Sequence, residues 1–128
     1  MQNLDTVKLP GVTIREGRKF TDARGPHEHL YQADYFCFIG TSAFQVYLWD
    51  NRKDSHAYKE KMTILAKEGS QLIVIVPPGV VHAYKNIGNK DGMVLNFPNK
   101  LYAGAGKQEK VDEIRHENDS NSFFKIQE

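Results

Sequence analysis

The sequence predicts an all-β domain, a small barrel or sandwich, and three observations carry that prediction. Short runs of β-branched and aromatic residues recur along most of the chain, as strands do. Gly, Pro, Asn and Asp clusters punctuate them. Hardly any stretch places apolar residues at helical spacing. At 128 residues the chain has the length for one domain with its own core, so residues 1–128 are expected to form a single unit. Its barrel would span about residues 24–100, with both terminal segments docked on it.

Bulk properties narrow the function classes. A formal net charge of +1 gives no electrostatic case for nucleic acid or an acidic membrane surface. Mixed-sign clusters such as Lys107 to Arg115 read as solvated surface. The single cysteine, Cys37, excludes an intrachain disulfide and suits a reducing compartment. No apolar run approaches the roughly 20 residues of a membrane-spanning helix. The N-terminus shows no signal-peptide pattern. A cytoplasmic, soluble protein is expected.

In chain order, Val12 to Ile14 is a short strand candidate within a mixed N-terminal stretch. Phe20 is an aromatic that can dock on a core. Arg24-Gly25-Pro26 bends the chain into a strand carrying His27 and His29. Tyr35 to Ile39 reads as a strand, and Ala43 to Asp50 as the next, the two joined by a hairpin turn at Gly40-Thr41-Ser42. In the second of these, Phe44, Val46 and Leu48 share one face and Gln45, Tyr47 and Trp49 the other, so both faces are expected to be covered. Asn51 to Lys61 is a polar loop and Met62 to Ala66 a short strand. Leu72-Ile73-Val74-Ile75-Val76 is continuously apolar, the pattern of a strand buried on both faces. Pro77-Pro78-Gly79 ends it. In the next strand Val80, His82, Tyr84 and Asn86 share a face. Met93 to Phe97 is a further strand, Val111 to His116 a helical turn or short strand, and Phe123, Phe124 and Ile126 dock the C-terminal segment.

The chemistry concentrates in the histidines. Side chains alternate along a strand, so His27 and His29 project to one face and Glu28 to the other. With His82 arriving on a separate strand, three imidazoles can converge on a site for a metal or for proton transfer. His56 and His116 lie in polar surroundings and read as hydrogen-bonded structural or surface residues.

Two motifs carry a resemblance. Pro77-x-Gly79-x-x-His82-x-x-x-Asn86 resembles the second motif of the cupin superfamily, lacking only its leading glycine. His27-x-His29 followed by Asp34 and Gly40 resembles the first, with Asp in place of Glu and the Gly one residue early. The resemblance implies a single-domain cupin, a double-stranded β-helix or jelly-roll-like barrel. More narrowly, Arg24-Gly25-Pro26-His27, Asp50 to Ser55, Val76 to Tyr84 and Asn96 to Tyr102 resemble the dTDP-4-dehydrorhamnose 3,5-epimerase family. That family's chemistry is proton abstraction beside a ketone, for which a neutral His held by a carboxylate is well suited. The resemblance makes His27 the base and Asp119 the nearest match to the orienting aspartate. It also gives Arg24 and Arg52 as holders of a nucleotide diphosphate and His82 as a pocket residue.

The chain departs from the family in three places. Leu95-Asn96 stands where the family has its tyrosine acid, leaving Tyr84 or Tyr102 as candidates. Gln32-Ala33-Asp34-Tyr35 holds no cation where the family has a lysine. The family is also longer at its N-terminal side. On the other hand His27, His29, Asp34 and His82 form an N/O set suited to one divalent ion, Fe, Mn, Ni or Zn.

The expected function is therefore an epimerase- or isomerase-like cupin acting on a nucleotide-linked 4-keto-deoxy sugar or related carbohydrate, with no cofactor required. The alternatives are a metal-dependent cupin of another class, such as a dioxygenase or isomerase, and a non-catalytic cupin that binds a small ligand. A homodimer is expected, since small cupins leave a sheet face and edge strands that pairing would cover.

Overall fold

The computed structural model describes residues 25–100 and 103–126, together with Pro10. Arg24, Tyr102 and the strand candidate at Val12 to Ile14 lie outside the described residues. Among the described residues there are eight strands: β1 (His27–His29), β2 (Asp34–Phe38), β3 (Phe44–Asp50), β4 (Lys61–Ala66), β5 (Leu72–Val76), β6 (Val80–Asn86), β7 (Val94–Asn96) and β8 (Glu113–Arg115). Among the described residues there is no α-helix, only 3-10 turns at Ala105–Lys107 and His116–Asn118, and hence no helix long and apolar enough to cross a membrane. The expected all-β, cupin-like sandwich is the observed architecture.

The strands form two antiparallel sheets. The larger runs β4-β3-β6-β1-β8 and the smaller β5-β2-β7. Period-2 alternation explains how they share a core. Phe36 and Phe38 from β2, and Val74 and Val76 from β5, meet Phe44, Val46, Ala66 and Val80 from the larger sheet. A second cluster lies on the outer side of the larger sheet, where Phe124 packs on Trp49, Val81 and Ala83. Phe124 of the C-terminal segment is buried in this cluster, with Ile126 packed beside it, while Phe123 is exposed. The segment also covers the second face of β3, which the side-chain pattern there requires.

Two expectations fail, for one reason. The predicted hairpin between the second and third strands does not form. β2 pairs with β5 and β7, while β3 pairs with β4 and β6. The turn at Gly40 is a corner that carries the chain from one sheet to the other. Gly40 has φ 79°, and a Cβ there would sit 2.5 Å from the Ser70 carbonyl oxygen, so the corner admits only glycine. The apolar run of β5, in turn, is not buried on both faces. β5 is an edge strand of the smaller sheet, and its alternate residues Ile73 and Ile75 face outward in the open. Neighbouring runs in sequence say nothing about which sheet each joins.

Candidate active site

β1 and β6 lie side by side in the larger sheet with His27 directly opposite His82, so alternation places both rings and His29 on the inner face. The turn leading into β6 holds the register. Gly79, at φ 79°, donates its N–H to the His29 carbonyl at 2.9 Å. A Cβ on Gly79 would meet Arg52 Cγ at 2.7 Å. Across the sandwich β2 begins at Asp34, whose side chain is 1% exposed and points inward. The potential ligand atoms of His27, His29, Asp34 and His82 all lie within 4.8 Å of one another.

Hydrogen bonding orders this cluster. A carbonyl can only accept, so His27 Nδ1–H donates to Gly25 O and His82 Nδ1–H to Val80 O, each at 3.0 Å. In the neutral rings that sets both tautomers, with the proton on Nδ1. Asp34 Oδ2 lies 3.1 Å from His29 Nε2 and 3.2 Å from His82 Nε2, while Gln32 Nε2 donates to Asp34 Oδ1 at 3.1 Å. Burial works to raise the Asp34 carboxyl, but hydrogen bonds from His29, His82 and Gln32 outweigh it and hold the group well below the usual carboxylate range. For His29 burial works to lower the imidazole. The hydrogen bond and charge of Asp34, with Glu113 and Asp112 behind, move it above its ordinary value. Among the described residues His29 Nδ1 is buried with no hydrogen-bond partner.

The remaining predicted residues fall in different places. Tyr84 points inward and is partly buried, its ring packed on Phe36, Phe38 and Phe44 with centroids 5.6–6.0 Å away. Arg52 closes its own loop as a two-pronged partner of Asp50, Nε to Oδ1 and Nη2 to Oδ2 at 2.9 Å each. Asp119 ends the 3-10 turn after β8 and accepts the Asn121 N–H at 2.9 Å on an exposed stretch. The carboxylate that meets the imidazoles is Asp34. His56 is exposed, as expected. His116 is a hydrogen-bonded structural residue: its Nε2 lies 2.8 Å from Glu28 Oε1 on the outer face of β1, under the Phe124 ring.

A cleft of about 320 Å³ opens onto His29. Its walls include Tyr31, Gln32, Lys100, Lys110 and the Ala103–Ala105 turn. Three of these answer gaps in the sequence: Lys100 and Lys110 bring cations, and Tyr31 an exposed phenol. Asp112 builds the lip. Its carboxylate accepts the backbone N–H groups of Leu30, Tyr31 and Gln32 at 2.9 Å each, and so sets the approach to Gln32 and Asp34. No local signal marks these residues, because the cleft forms only when the segment before β8 returns beside β1.

The donor set suits a divalent ion. Three imidazoles and a carboxylate converge, two of the rings have their Nδ1–H on backbone carbonyls in the manner of metal-ligating histidines, and Asp34 is ionised. Two ligand atoms about 2.1 Å from one ion at right angles are about 3 Å apart, the spacing Asp34 Oδ2 keeps to both Nε2 atoms.

Comparison with known proteins adds two relatives. Over 81 residues, 62% of the chain, it is 33% identical to 51% of the "Probable low-salt glycan biosynthesis epimerase Agl13" of Haloferax volcanii. Over 76 residues, 59% of the chain, it is 30% identical to 50% of the "Spore coat polysaccharide biosynthesis protein SpsL" of Bacillus subtilis. The chain thus spans about half the length of the curated relatives it matches. No family model matches it. No solved structure matches it either.

Proposed function

We propose that the chain carries the reacting centre of a carbohydrate epimerase, acting on a nucleotide-linked 4-keto-deoxy sugar. The observation that carries this reading is the convergence of Asp34, His27 and His82 on His29, the ring that lines a cleft of small-ligand size. The similarity to one protein named as a glycan-biosynthesis epimerase and another named for polysaccharide biosynthesis supports it.

A ketone acidifies the hydrogens on its neighbouring carbons. The C–H bond breaks, its electron pair moves into the enolate, and the proton passes to a base; return of a proton to the opposite face inverts the carbon. His29 is the imidazole that lines the cleft. Held through Nε2 by Asp34, it offers the lone pair at Nδ1 as the accepting position. The resemblance assigns that role to His27, which stands behind it, 2% exposed. Tyr31 is the phenol placed in the cleft to return a proton, and Lys100 and Lys110 are the cations placed to meet negative charge on the substrate.

One observation favours a second, metal-dependent version. A neutral His82 has a single N–H, already given to Val80, yet its Nε2 faces the Asp34 carboxylate at 3.2 Å. A second proton on His82, or a cation shared by the four residues, satisfies that contact. A divalent ion held by His27, His29, Asp34 and His82 supplies electrophilic stabilisation of an enolate.

The test is solvent exchange. Incubated in D₂O with a panel of nucleotide-linked 4-keto-deoxy sugars, the protein is expected to place deuterium on a carbon beside the ketone, and His29→Asn to abolish this. An absence of exchange across the panel, or undiminished exchange in the variant, rules the reading out. Stoichiometric metal in the purified protein, with exchange lost on EDTA treatment and restored by the ion, selects the metal-dependent version.

A further inference from the structure

The bend that leads into β1 is held on both sides by the turn that follows β8. Gly25 N–H donates to Glu117 Oε2 at 2.6 Å. One residue on, the Pro26 carbonyl accepts the N–H groups of His116 at 2.9 Å and Glu117 at 3.2 Å. A single peptide plane lies between these anchors. Its oxygen, Gly25 O, is the acceptor of His27 Nδ1–H at 3.0 Å. Little is left to turn that plane. Pro26 fixes its own φ, and the Glu117 contact restrains the glycine that would otherwise swing. Gly25 admits no side chain here, because a Cβ on it would meet Glu117 Cβ at 2.6 Å. Arg115 Nη1 donates to Glu117 Oε1 at 3.3 Å, so the second carboxylate oxygen is held as well.

We propose that Glu117 is a positioning residue, setting the tautomer and direction of His27 through the Gly25 peptide. In a neutral imidazole the donating nitrogen holds the only ring proton, so the bond to Gly25 O puts the lone pair on Nε2. His27 is buried, its ring centroid is 4.2 Å from that of His82, and it belongs to the cluster with His29 and Asp34. A Gly25 carbonyl turned away would release the Nδ1 proton, and the two tautomers would then compete. The neighbouring side chain makes the contrast. The His116 ring bonds Glu28 on the outer face, while its link to Pro26 comes from the backbone N–H that most residues supply. Side-chain control of the bend therefore belongs to Glu117.

The experiment is NMR of the imidazole nitrogens in the full 128-residue chain, without substrate and above the histidine titration range. The unmodified protein is compared with Glu117→Ala, Glu117→Gln, Gly25→Ala and His116→Ala. His27 is expected to keep its proton on Nδ1 in the unmodified chain and in His116→Ala. Glu117→Gln should keep it too, since an amide oxygen still accepts the Gly25 N–H. Glu117→Ala and Gly25→Ala are expected to show a mixture of tautomers, which a loss of stability alone does not produce. A proton on Nε2 in the unmodified chain overturns the proposal. So does an unchanged pattern in Glu117→Ala or Gly25→Ala, or a mixture in Glu117→Gln. A kinetic arm rests on the proton-exchange reading above. Deuterium uptake into substrate should fall about ten-fold in kcat for Glu117→Ala at unchanged KM, the usual cost of removing a support behind a site histidine. Undiminished uptake in that variant overturns the positioning role. No uptake by the unmodified chain ends the reaction reading instead, and the ring measurement then decides the role of Glu117 by itself.

Discussion

β1 contributes to two His–carboxylate pairs that sit on opposite sides of the same sheet. On the inner side His29 meets Asp34 at 3.1 Å, with His82 sharing the carboxylate and a cleft in front. On the outer side Glu28 meets His116 at 2.8 Å, with Asn51 donating to the same oxygen at 2.7 Å and Phe124 closing over the imidazole. The chemical groups match and the surroundings do not. The outer pair ties the C-terminal segment to the sheet. The inner pair leaves a buried imidazole nitrogen without a hydrogen-bond partner among the described residues, on a ring that lines a cleft. Contact distance therefore does not mark a reactive pair; an unspent nitrogen next to a cleft does.

The largest effect should come from breaking the inner pair. Asp34→Asn removes the charge that raises His29 and loses the acceptor shared with His82. Proton exchange into substrate is expected to fall by about 10²–10⁴-fold, the usual worth of a positioned base. Exchange within a few-fold of the unmodified protein would erase the distinction between the two pairs.

Breaking the outer pair should change stability and spare chemistry. His116→Ala leaves the buried Glu28 with Asn51 alone and takes away the ring under Phe124. The expected cost is about 2 kcal/mol in thermal or denaturant unfolding, that of a hydrogen bond to a buried charged group. Turnover per folded molecule should be unchanged. A drop in turnover without a loss of stability would give the outer pair a functional role.

The smallest effect belongs to a third pair, Asp50 and Arg52, at the rim, where the Arg52 side chain is half exposed. Hydrogen bonds from Arg52 hold the Asp50 carboxyl below its usual range. Because the folded-state value is depressed, the stabilisation is complete above the unfolded carboxyl value of about 3.9 and is lost as pH falls through the folded value. Asp50→Asn should therefore cost under about 1 kcal/mol near neutrality, given solvent screening, and the difference from the unmodified protein should shrink toward zero in acid. A difference that grows on acidification would reverse the sign of this contribution.

The strands were legible in the sequence because alternation is local. Tyr35 to Ile39 and Met62 to Ala66 each came within a residue of β2 and β4. The parity of His27, Glu28 and His29 was legible for the same reason, and so was the placement of Val80, His82 and Tyr84 on one face. Sheet membership was not. The corner at Gly40 and a hairpin turn look alike in sequence, so β2 was joined to β3 when it pairs with β5 and β7.

By itself, then, the sequence determined an all-β chain with two histidines on one face of a strand and a third within reach of them. The tertiary structure decided that Asp34, from the opposite sheet, completes the cluster. It also decided that His29 is the ring lining the cleft, that Lys100, Lys110 and Tyr31 share it, and that the outer face of β5 stays open. The physical reason is range. Side-chain direction within a strand follows from backbone geometry a few residues long. Which strands face one another is set by how the whole chain packs its apolar surface.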